Sequence, residues 1–218
     1  MPVLRKEGPY IWVTWVTKLL IGDDSCEHAS WFKTQFDGKS WTRAERVNNL
    51  ARWQVGHTDM LNAKALDFRE QGYDVSREAQ NHFTIKGRQA TIAGKPDLIA
   101  RQGDLVWVAD VKAGRPRSSD LAQVMIYMYL LPIARPELRG ATIKGVVVYG
   151  NREHEIQPEE VDPVFVQSLQ GLIHRLAALE PAAKVPSWSE CQFCDISNVH
   201  CPERVEQPAS SVVTTDRF

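Results

Sequence analysis

Four cysteines are unevenly distributed along this chain of 218 residues. Cys26 lies near the start, whereas Cys191, Cys194 and Cys201 lie close to the end, and Pro202 follows the last of them. Four thiolates can hold a [4Fe–4S] cluster or a structural zinc ion, and a Cys-Pro step is typical of cluster-binding sequences. A site built from these residues would tie the two ends of the chain together.

The same cysteines are compatible with three other states. A disulfide between Cys191 and Cys194 is disfavoured in a reducing cytoplasm, which we expect because the first residues contain no apolar run typical of a secretory signal. Zinc suits four thiolates equally well, although zinc sites usually take their ligands from two local pairs. Free core cysteines are the simplest alternative, but the crowding of three cysteines beside Trp188 and Phe193 favours a metal-binding group.

Two aspartates and a lysine form a second candidate site in the middle of the chain. Asp97 follows a proline inside an apolar segment, and Asp110-Val111-Lys112 ends the next such segment. Strand alternation places Asp110 and Lys112 on one face, with Val111 turned into the core. If the two segments form a hairpin around residues 103–104, Asp97 comes within reach of Asp110.

Two carboxylates in one pocket are hard oxygen ligands for Mg²⁺ or Mn²⁺. A bound metal ion would polarise a phosphoryl oxygen and acidify a water molecule, which Lys112 could orient or deprotonate. The backbone carbonyl of Val111 could supply a further ligand. The simpler interpretation is a salt bridge at a strand end, because an Asp-X-Lys triplet often occurs by chance.

Several neighbouring residues favour the catalytic interpretation. Arg115 and Arg117 follow the triplet directly and could bind a nucleic-acid backbone. Gln123 and Tyr127 are spaced i, i+4 and therefore share one helix face, although Tyr127 could equally be a core aromatic residue. His57, on a predicted long helix, could be a metal ligand, although a lone helical histidine is more often structural.

The elements that must position these residues follow from periodicity and turn signals. We predict helices over residues 11–20, 26–36, 42–71, 118–131 and 161–179. We predict strands over residues 80–86, 89–100, 105–112, 143–149 and 153–157. The core order of helix, three strands, helix and strand indicates an α/β sandwich.

Composition indicates a soluble globular protein, with 43% hydrophobic and 24% charged residues. We expect one domain over residues 1–204, with a disordered tail over 205–218. The formal net charge of −1 excludes a global attraction to nucleic acid, so binding would require a local basic patch. No membrane span is expected, since the longest apolar stretch, residues 124–134, is too short and contains Pro132.

Together these residues resemble the RecB-type branch of the PD-(D/E)XK nuclease superfamily. The resemblance is carried, in chain order, by His57, Gly94-Lys-Pro-Asp97, Asp110-Val-Lys112, Lys112-Ala-Gly114 and Gln123-Val-Met-Ile-Tyr127. One cysteine before this core and three after it are similar to the iron–sulfur nucleases, among which the CRISPR-associated Cas-four exonucleases are close in size. The resemblance extends from about residue 12 to residue 202.

The resemblance implies a restriction-endonuclease-like αβββαβ core with a central mixed sheet. A helical N-terminal segment and a C-terminal iron–sulfur region, formed by residues 22–36 and 186–204, would flank this core. The resemblance further implies a DNA nuclease that acts in CRISPR adaptation or in recombination and repair. Exonuclease action on single-stranded ends is expected rather than endonuclease action. A non-catalytic DNA-end-binding or assembly subunit, and a zinc-stabilised endonuclease, are the alternatives.

The resemblance also assigns a role to each residue of the two sites. The Mg²⁺ or Mn²⁺ ligands would be His57, Asp97, Asp110 and the carbonyl of Val111, with Lys112 as the catalytic lysine. Gln123 and Tyr127 would support the site and contact DNA. Cys26, Cys191, Cys194 and Cys201 would bind the cluster. Glu78 is a weaker candidate, an acid before the first predicted strand that is more simply solvated.

Overall fold

The computed structural model describes residues 1–44, 50–150 and 152–207, with the backbone alone for residues 50–55. The predicted helical residues 45–49 lie outside the described residues, as do residues 208–218 of the predicted tail. The described part of that tail, residues 205–207, has no helix or strand.

The described residues form six α-helices and eight β-strands. The helices are α1 (Thr17–Leu20), α2 (His28–Gln35), α3 (Leu50–Glu70), α4 (Ser118–Ala134), α5 (Pro163–Ala177) and α6 (Trp188–Cys191). The strands are β1 (Tyr10–Trp12), β2 (Asp74–Arg77), β3 (Phe83–Lys86), β4 (Thr91–Gly94), β5 (Leu98–Gln102), β6 (Leu105–Val111), β7 (Thr142–Tyr149) and β8 (Arg152–Ile156). Short 3₁₀ turns cover Val13–Trp15, Glu78–Asn81, Pro136–Leu138 and Pro158–Glu160.

Within the described residues the strands form two sheets. The larger sheet has the order β2-β5-β6-β7-β8, in which only the β6–β7 pair is parallel, so it is a mixed sheet. Helix α4 connects the two parallel strands, as a parallel pair requires a long crossover. The smaller sheet has the order β1-β4-β3, with β1 parallel to β4.

The larger sheet separates two hydrophobic cores. Leu61, Ala65 and Phe68 of α3 pack on the face that carries Ala109 and Val111, whereas α4 packs on the opposite face with Val106 and Val108. The order α3-β2-β5-β6-α4-β7 gives the expected αβββαβ arrangement, and the fold is consistent with a restriction-endonuclease-like core. The prediction of an α/β sandwich with a mixed sheet is confirmed.

The identity of two of the three core strands differs from the prediction. The predicted strand over residues 89–100 is in fact β4 and β5, which lie in different sheets and are separated by Lys95-Pro96-Asp97. The predicted strand over residues 80–86 begins only at Phe83 and belongs to the smaller sheet. The first core strand is β2, a short edge strand whose sequence Asp-Val-Ser-Arg lacks an apolar alternation.

The N-terminal prediction is also partly wrong. Residues 11–20 do not form one helix, because Tyr10–Trp12 pairs with β4 as a strand and only Thr17–Leu20 is α-helical. The pairing is long-range, so local periodicity could not show it. Gly22, between the first two predicted helices, has a φ of +78°, a conformation that glycine adopts readily.

The boundaries of two predicted helices need correction. Arg43 forms a β-bridge with Ile196, so the residues that precede the undescribed stretch are not the start of α3. Helix α4 continues past Pro132 to Ala134, and the N–H of Arg135 still donates to the Leu131 carbonyl at 2.8 Å. Proline removes only its own N–H, so the flanking hydrogen bonds can carry the helix one more turn.

No helix among the described residues is long and apolar enough to cross a membrane.

Close packing between α4 and β7 depends on the absence of a side chain at Gly145. A Cβ atom there would lie 2.5 Å from Val124 Cγ1 and 2.7 Å from Met128 Sδ. We therefore expect Gly145→Ala to lower the free energy of unfolding by about 1–3 kcal/mol, the usual cost of overpacking a core. Urea denaturation measures this change.

The control is Gly171→Ala in helix α5, where the nearest atom to a new Cβ is Arg175 Nη1 at 3.6 Å. Alanine should stabilise this position by about 0.5–1 kcal/mol, because glycine is unfavourable in a helix. Equal stability of Gly145→Ala and the parent protein would contradict the close packing described.

Candidate active site

Strand register brings the two aspartates together. Leu98 pairs with Ala109 in the antiparallel β5–β6 hairpin. Asp97, one residue before Leu98, therefore lies opposite Asp110, one residue after Ala109. The hairpin turn at Gly103, with a φ of +59°, confirms the predicted connection between the two strands. The two carboxylates face the same end of the larger sheet.

Asp110 is buried and surrounded by partners. Its side chain is 2% exposed, forms an ion pair with Lys112 Nζ through Oδ2, and accepts a hydrogen bond at Oδ1 from Gln123 Nε2 at 2.8 Å. Lys112 Nζ also donates to Gln123 Oε1 at 3.1 Å, which closes a three-residue network. Asp110 and Lys112 share a face and Val111 is 1% exposed on the other, as the alternation predicted.

Burial and charge oppose each other in this network. Burial raises the pKa of the Asp110 carboxyl, and the charge of Asp97 adds to this effect, while Lys112 acts in the other direction. Burial alone would lower the pKa of Lys112, but the charge and hydrogen bond of Asp110 outweigh it and raise that pKa. Lys112 is therefore held as an ammonium group. An uncompensated charge at this depth would be strongly destabilising.

Helix α4 supplies the two residues that hold the network from above. Gln123 Nε2 lies 3.3 Å from the Tyr127 hydroxyl, so the predicted i, i+4 pair is in contact. Tyr127 is 2% exposed, and burial raises its pKa. Gly94 allows this packing, since a Cβ there would lie 2.7 Å from Tyr127 Cε1. Tyr127 is thus both a core aromatic residue and part of the site.

Asp97 and His57 form a second pair beside this network. Asp97 Oδ2 accepts a hydrogen bond from the Val111 N–H at 2.8 Å and lies 3.3 Å from His57 Nε2. The hydrogen bond to Asp97 raises the pKa of His57, which burial alone would lower. Helix α3 thus brings His57 to the carboxylates, as the prediction requires. The contact seen for Val111 is made by its N–H, and ligation by its carbonyl stays a prediction.

Asn81 fixes the backbone before Asp97 and was missed in the sequence. Its side chain is fully buried, and Nδ2 donates to the carbonyls of Pro96 and Asp97 at 3.2 and 3.3 Å. Ser76 in turn donates to Asn81 Oδ1 at 2.6 Å. Nothing in the local sequence distinguishes Asn81 from an exposed turn residue, because its role depends on the distant Pro96.

A third carboxylate, Asp120, approaches from the first turn of α4. Its Oδ2 accepts hydrogen bonds from the Tyr149 hydroxyl at 3.1 Å and from the Arg117 N–H at 3.2 Å. The charge of Asp120 adds to the rise in the pKa of both Asp110 and Lys112. Tyr149, at the end of β7, was not predicted as a site residue.

The remaining predicted residues lie at the rim. Arg115 and Arg117 are exposed in the loop after β6 and stand outside the buried network. Glu78 is exposed as well, but its N–H donates to the Asp97 carbonyl at 2.9 Å and its charge contributes to the raised pKa of His57. Glu78 has a φ of +34°, a conformation that costs free energy in a residue other than glycine. Glu78 is therefore not simply a solvated surface acid, because both its backbone N–H and its charge act on residues of the site.

Two carboxylates and an imidazole fit a divalent cation by their chemistry. In this structure the Asp97 carboxylate contacts His57, and the Asp110 carboxylate contacts Lys112. The described residues contain no group of three or more His, Cys, Asp or Glu side chains placed to hold a metal ion. Asp110 Oδ2 has no hydrogen-bond partner besides its ion pair with Lys112. A cation could therefore take this oxygen by displacing the ammonium group.

The four cysteines face one cavity of about 720 Å³ between the N-terminal segment and the C-terminal loop. All four are free thiols, so no disulfide joins Cys191 to Cys194. Burial raises the pKa of the thiols of Cys194 and Cys201, and metal binding would release these protons. Four thiols converging from distant segments fit a thiolate-bound metal by donor type.

Hydrogen bonds already join the two segments that carry the cysteines. The carboxylate of Glu190 accepts from the N–H groups of Ser25 and Cys26 at 2.8 and 3.3 Å. His28 also lines the cavity; it is 6% exposed, and neither ring nitrogen has a hydrogen-bond partner among the described residues. Burial lowers its pKa, so the ring is held neutral. The sequence analysis did not identify His28 or Glu190.

The network around Asp110 makes Gln123 important for stability. In Gln123→Ala the buried carboxylate loses its amide donor and Lys112 loses an acceptor, so we expect the free energy of unfolding to fall by about 1–3 kcal/mol. Urea denaturation at neutral pH measures the loss.

Gln170→Ala is the matched control, because Gln170 is exposed on α5 and its amide contacts only the Tyr129 hydroxyl at 3.3 Å. We expect this control to change stability by less than about 0.5 kcal/mol. Similar small effects for both variants would show that Gln123 does not support the buried charge.

Comparison with known proteins identifies the family to which this chain belongs. A family profile described as the PD-(D/E)XK nuclease superfamily matches residues 20–202. A solved structure described as "Crystal structure of SSO0001" is similar at 19% sequence identity and a TM-score of 0.47, covering 92% of this chain and 90% of that chain. No curated protein matches significantly. Because the family match spans most of the chain and includes the whole network around Asp110, this protein belongs to the PD-(D/E)XK nuclease superfamily.

Proposed function

We propose that this protein is a Mg²⁺- or Mn²⁺-dependent deoxyribonuclease of the RecB-type branch that removes nucleotides from single-stranded DNA ends. Membership of the superfamily indicates a nuclease. The observation that carries the proposal is the convergence of Asp97, Asp110 and Lys112 at the end of the β5–β6 hairpin. A decayed active site usually loses one such residue, whereas His57 and all three of these are present.

The residues of the site have distinct roles in phosphodiester hydrolysis. Asp97, Asp110 and His57 would hold the divalent cation, which when bound polarises the scissile phosphate and acidifies a water molecule. Lys112 would orient the attacking water, and its ammonium form would offset the negative charge that develops on the phosphate. Gln123, which forms hydrogen bonds with both Lys112 and Asp110, would keep Lys112 near the site when a cation takes the Asp110 oxygen.

The substrate class follows from the surroundings of the site. Arg115 and Arg117 are exposed directly after Lys112, where guanidinium groups can bind the DNA backbone. The formal net charge of −1 means that such local cations must supply the attraction to DNA. Gln123 and Tyr127 are buried on α4 rather than exposed at the surface, so contact between DNA and these two side chains would require the strand end to move inward.

We also propose that Cys26, Cys191, Cys194 and Cys201 bind a [4Fe–4S] cluster. Support comes from the convergence of four free thiols on one cavity. Side-chain rotation must complete the ligand set, since the described residues are not arranged as a metal site. The cluster would reinforce the contact that Glu190 makes between the two segments and would not take part in hydrolysis.

Two biological settings suit such an enzyme, CRISPR adaptation and DNA recombination or repair, and its partners would be other proteins of those processes. The similarity to the CRISPR-associated Cas-four exonucleases rests on size and on the order of the cysteines. A non-catalytic DNA-end-binding subunit with the same fold is the second candidate. A zinc-stabilised endonuclease is the third, favoured by the suitability of four thiols for zinc.

Lys112→Ala tests the proposed activity. We expect the variant to degrade labelled single-stranded DNA in Mn²⁺ at least about 100-fold more slowly than the parent protein, because the water and the developing charge lose their ammonium partner. The rate is measured by denaturing gel electrophoresis. Lys39→Ala, at an exposed turn residue, is the control and should degrade DNA at the parent rate.

Equal rates for Lys112→Ala and the parent protein would reject this active site. Binding of DNA ends without any cleavage by the parent protein would favour the non-catalytic subunit.

Cys26→Ala tests the proposed cluster. Protein purified without oxygen should contain about four iron atoms per chain and absorb broadly in the visible range. The variant should be colourless and less stable, because its two end segments lose a covalent link through the metal. Ser25→Ala, the exposed neighbour, should keep its iron.

Full iron content in Cys26→Ala would exclude this residue as a ligand. Zinc in place of iron in the parent protein would favour the zinc-stabilised enzyme.

A further inference from the structure

The outer face of the smaller sheet carries a row of aromatic rings. Ile11, Ile92 and Phe83 of this sheet turn toward the core, so Tyr10 and Trp12 point to the opposite side. The rings of Tyr10 and Trp12 have centroids 6.0 Å apart, and those of Trp12 and His82 are 5.7 Å apart. Both contacts are edge-to-face; Tyr10 and Trp12 are partly exposed and His82 is exposed, so part of the ring surface is accessible to a ligand. We refer to Tyr10, Trp12 and His82 as the aromatic face.

Charge on the aromatic face favours an anion. The Arg5 guanidinium lies 5.3 Å from the centre of the Tyr10 ring, and Lys86 and Lys95 are exposed on the strand β3 and just after β4. No residue of strands β1, β3 and β4 is acidic, although the chain contains 27 acidic residues. Aromatic rings interleaved with cations are the usual surface for single-stranded nucleic acid.

The aromatic face lies near the active site along the chain. Trp12 pairs with Ala93, and Asp97 follows four residues later, at most about 13 Å along an extended chain. His82 is the neighbour of Asn81, whose side chain fixes the carbonyls of Pro96 and Asp97. A DNA strand with a phosphate at Asp97 and Asp110 would thus bring a nearby base to Trp12.

We propose that the aromatic face binds the unpaired bases of the DNA strand whose phosphate lies in the active site. A paired strand keeps its bases stacked inside the duplex and cannot offer them to Trp12 or His82. The face would therefore select single-stranded over double-stranded DNA. This inference rests on the proposed nuclease function and adds that the protein recognises the unpaired bases of its substrate.

Binding of a fluorescent twelve-residue oligothymidylate, measured by anisotropy with EDTA present to prevent cleavage, tests the inference. Trp12→Leu, which keeps an apolar side chain over the sheet, should raise Kd at least about fivefold, as loss of one stacked base predicts. His82→Ala should weaken binding in the same direction, and this exposed position tolerates truncation without unfolding. Trp107→Leu is the matched control, because Trp107 is also a half-buried tryptophan on a strand but lies in the larger sheet. The Trp107→Leu variant should bind the oligonucleotide with the Kd of the parent protein.

An abasic strand of the same length separates stacking from other effects. It keeps the phosphates and lacks the bases, so Trp12→Leu and the parent protein should bind it equally. Equal losses on both strands, or no loss on either, would overturn the proposal. Cleavage by the parent protein is assayed separately in Mn²⁺. If the parent protein fails to cleave DNA but Trp12→Leu still shows the base-dependent loss of binding, only the nuclease function is refuted. If the parent protein cleaves DNA normally and Trp12→Leu binds as tightly as the parent, only the aromatic face is refuted.

Discussion

The burial of one charged carboxyl group determines most of the local structure of this protein. Asp110 sits at 2% exposure between a sheet and a helix, where a charge is tolerated only with partners. Lys112 must share its face, Gln123 must reach down from α4, and Gly94 must lack a side chain so that Tyr127 can pack beside them. Each of these requirements constrains a different element, and together they fix how α4 lies on the sheet.

The second carboxylate is held mainly by backbone contacts. Asp97 receives the N–H of Val111, and its own carbonyl accepts from Glu78 and Asn81. Side chains therefore hold Asp110, whereas Asp97 is held by two backbone N–H groups together with the side chains of Asn81 and His57. This difference leaves Asp97 and His57 more accessible than Asp110, with 14% of each of these two side chains exposed. One carboxylate is therefore buried within the network and the other is partly exposed.

The parts of the site that depend on local spacing were predictable from the sequence. Alternation in β6 placed Asp110 with Lys112, and helical spacing placed Gln123 with Tyr127. The parts that depend on long-range pairing were not. Strand β1 takes its conformation from β4, and β2 is an edge strand without an apolar pattern.

Asn81 and Tyr149 acquire their roles only where distant segments meet. For the same reason the sequence indicated the four cysteines as a group but did not show Glu190 between them. Residues that local spacing brings together were therefore predictable from the sequence, whereas residues that support the site through long-range contacts were not.

The hydrogen bond between the Ser25 N–H and the Glu190 carboxylate joins residues that are 165 positions apart. This separation affects when the contact can form during translation. A ribosome adding about 5–20 residues per second needs roughly ten to thirty seconds to travel from one partner to the other. Throughout that interval Cys26 has emerged without the segment that later covers it. Cys26 therefore remains a free thiol without its partner segment until translation is nearly finished.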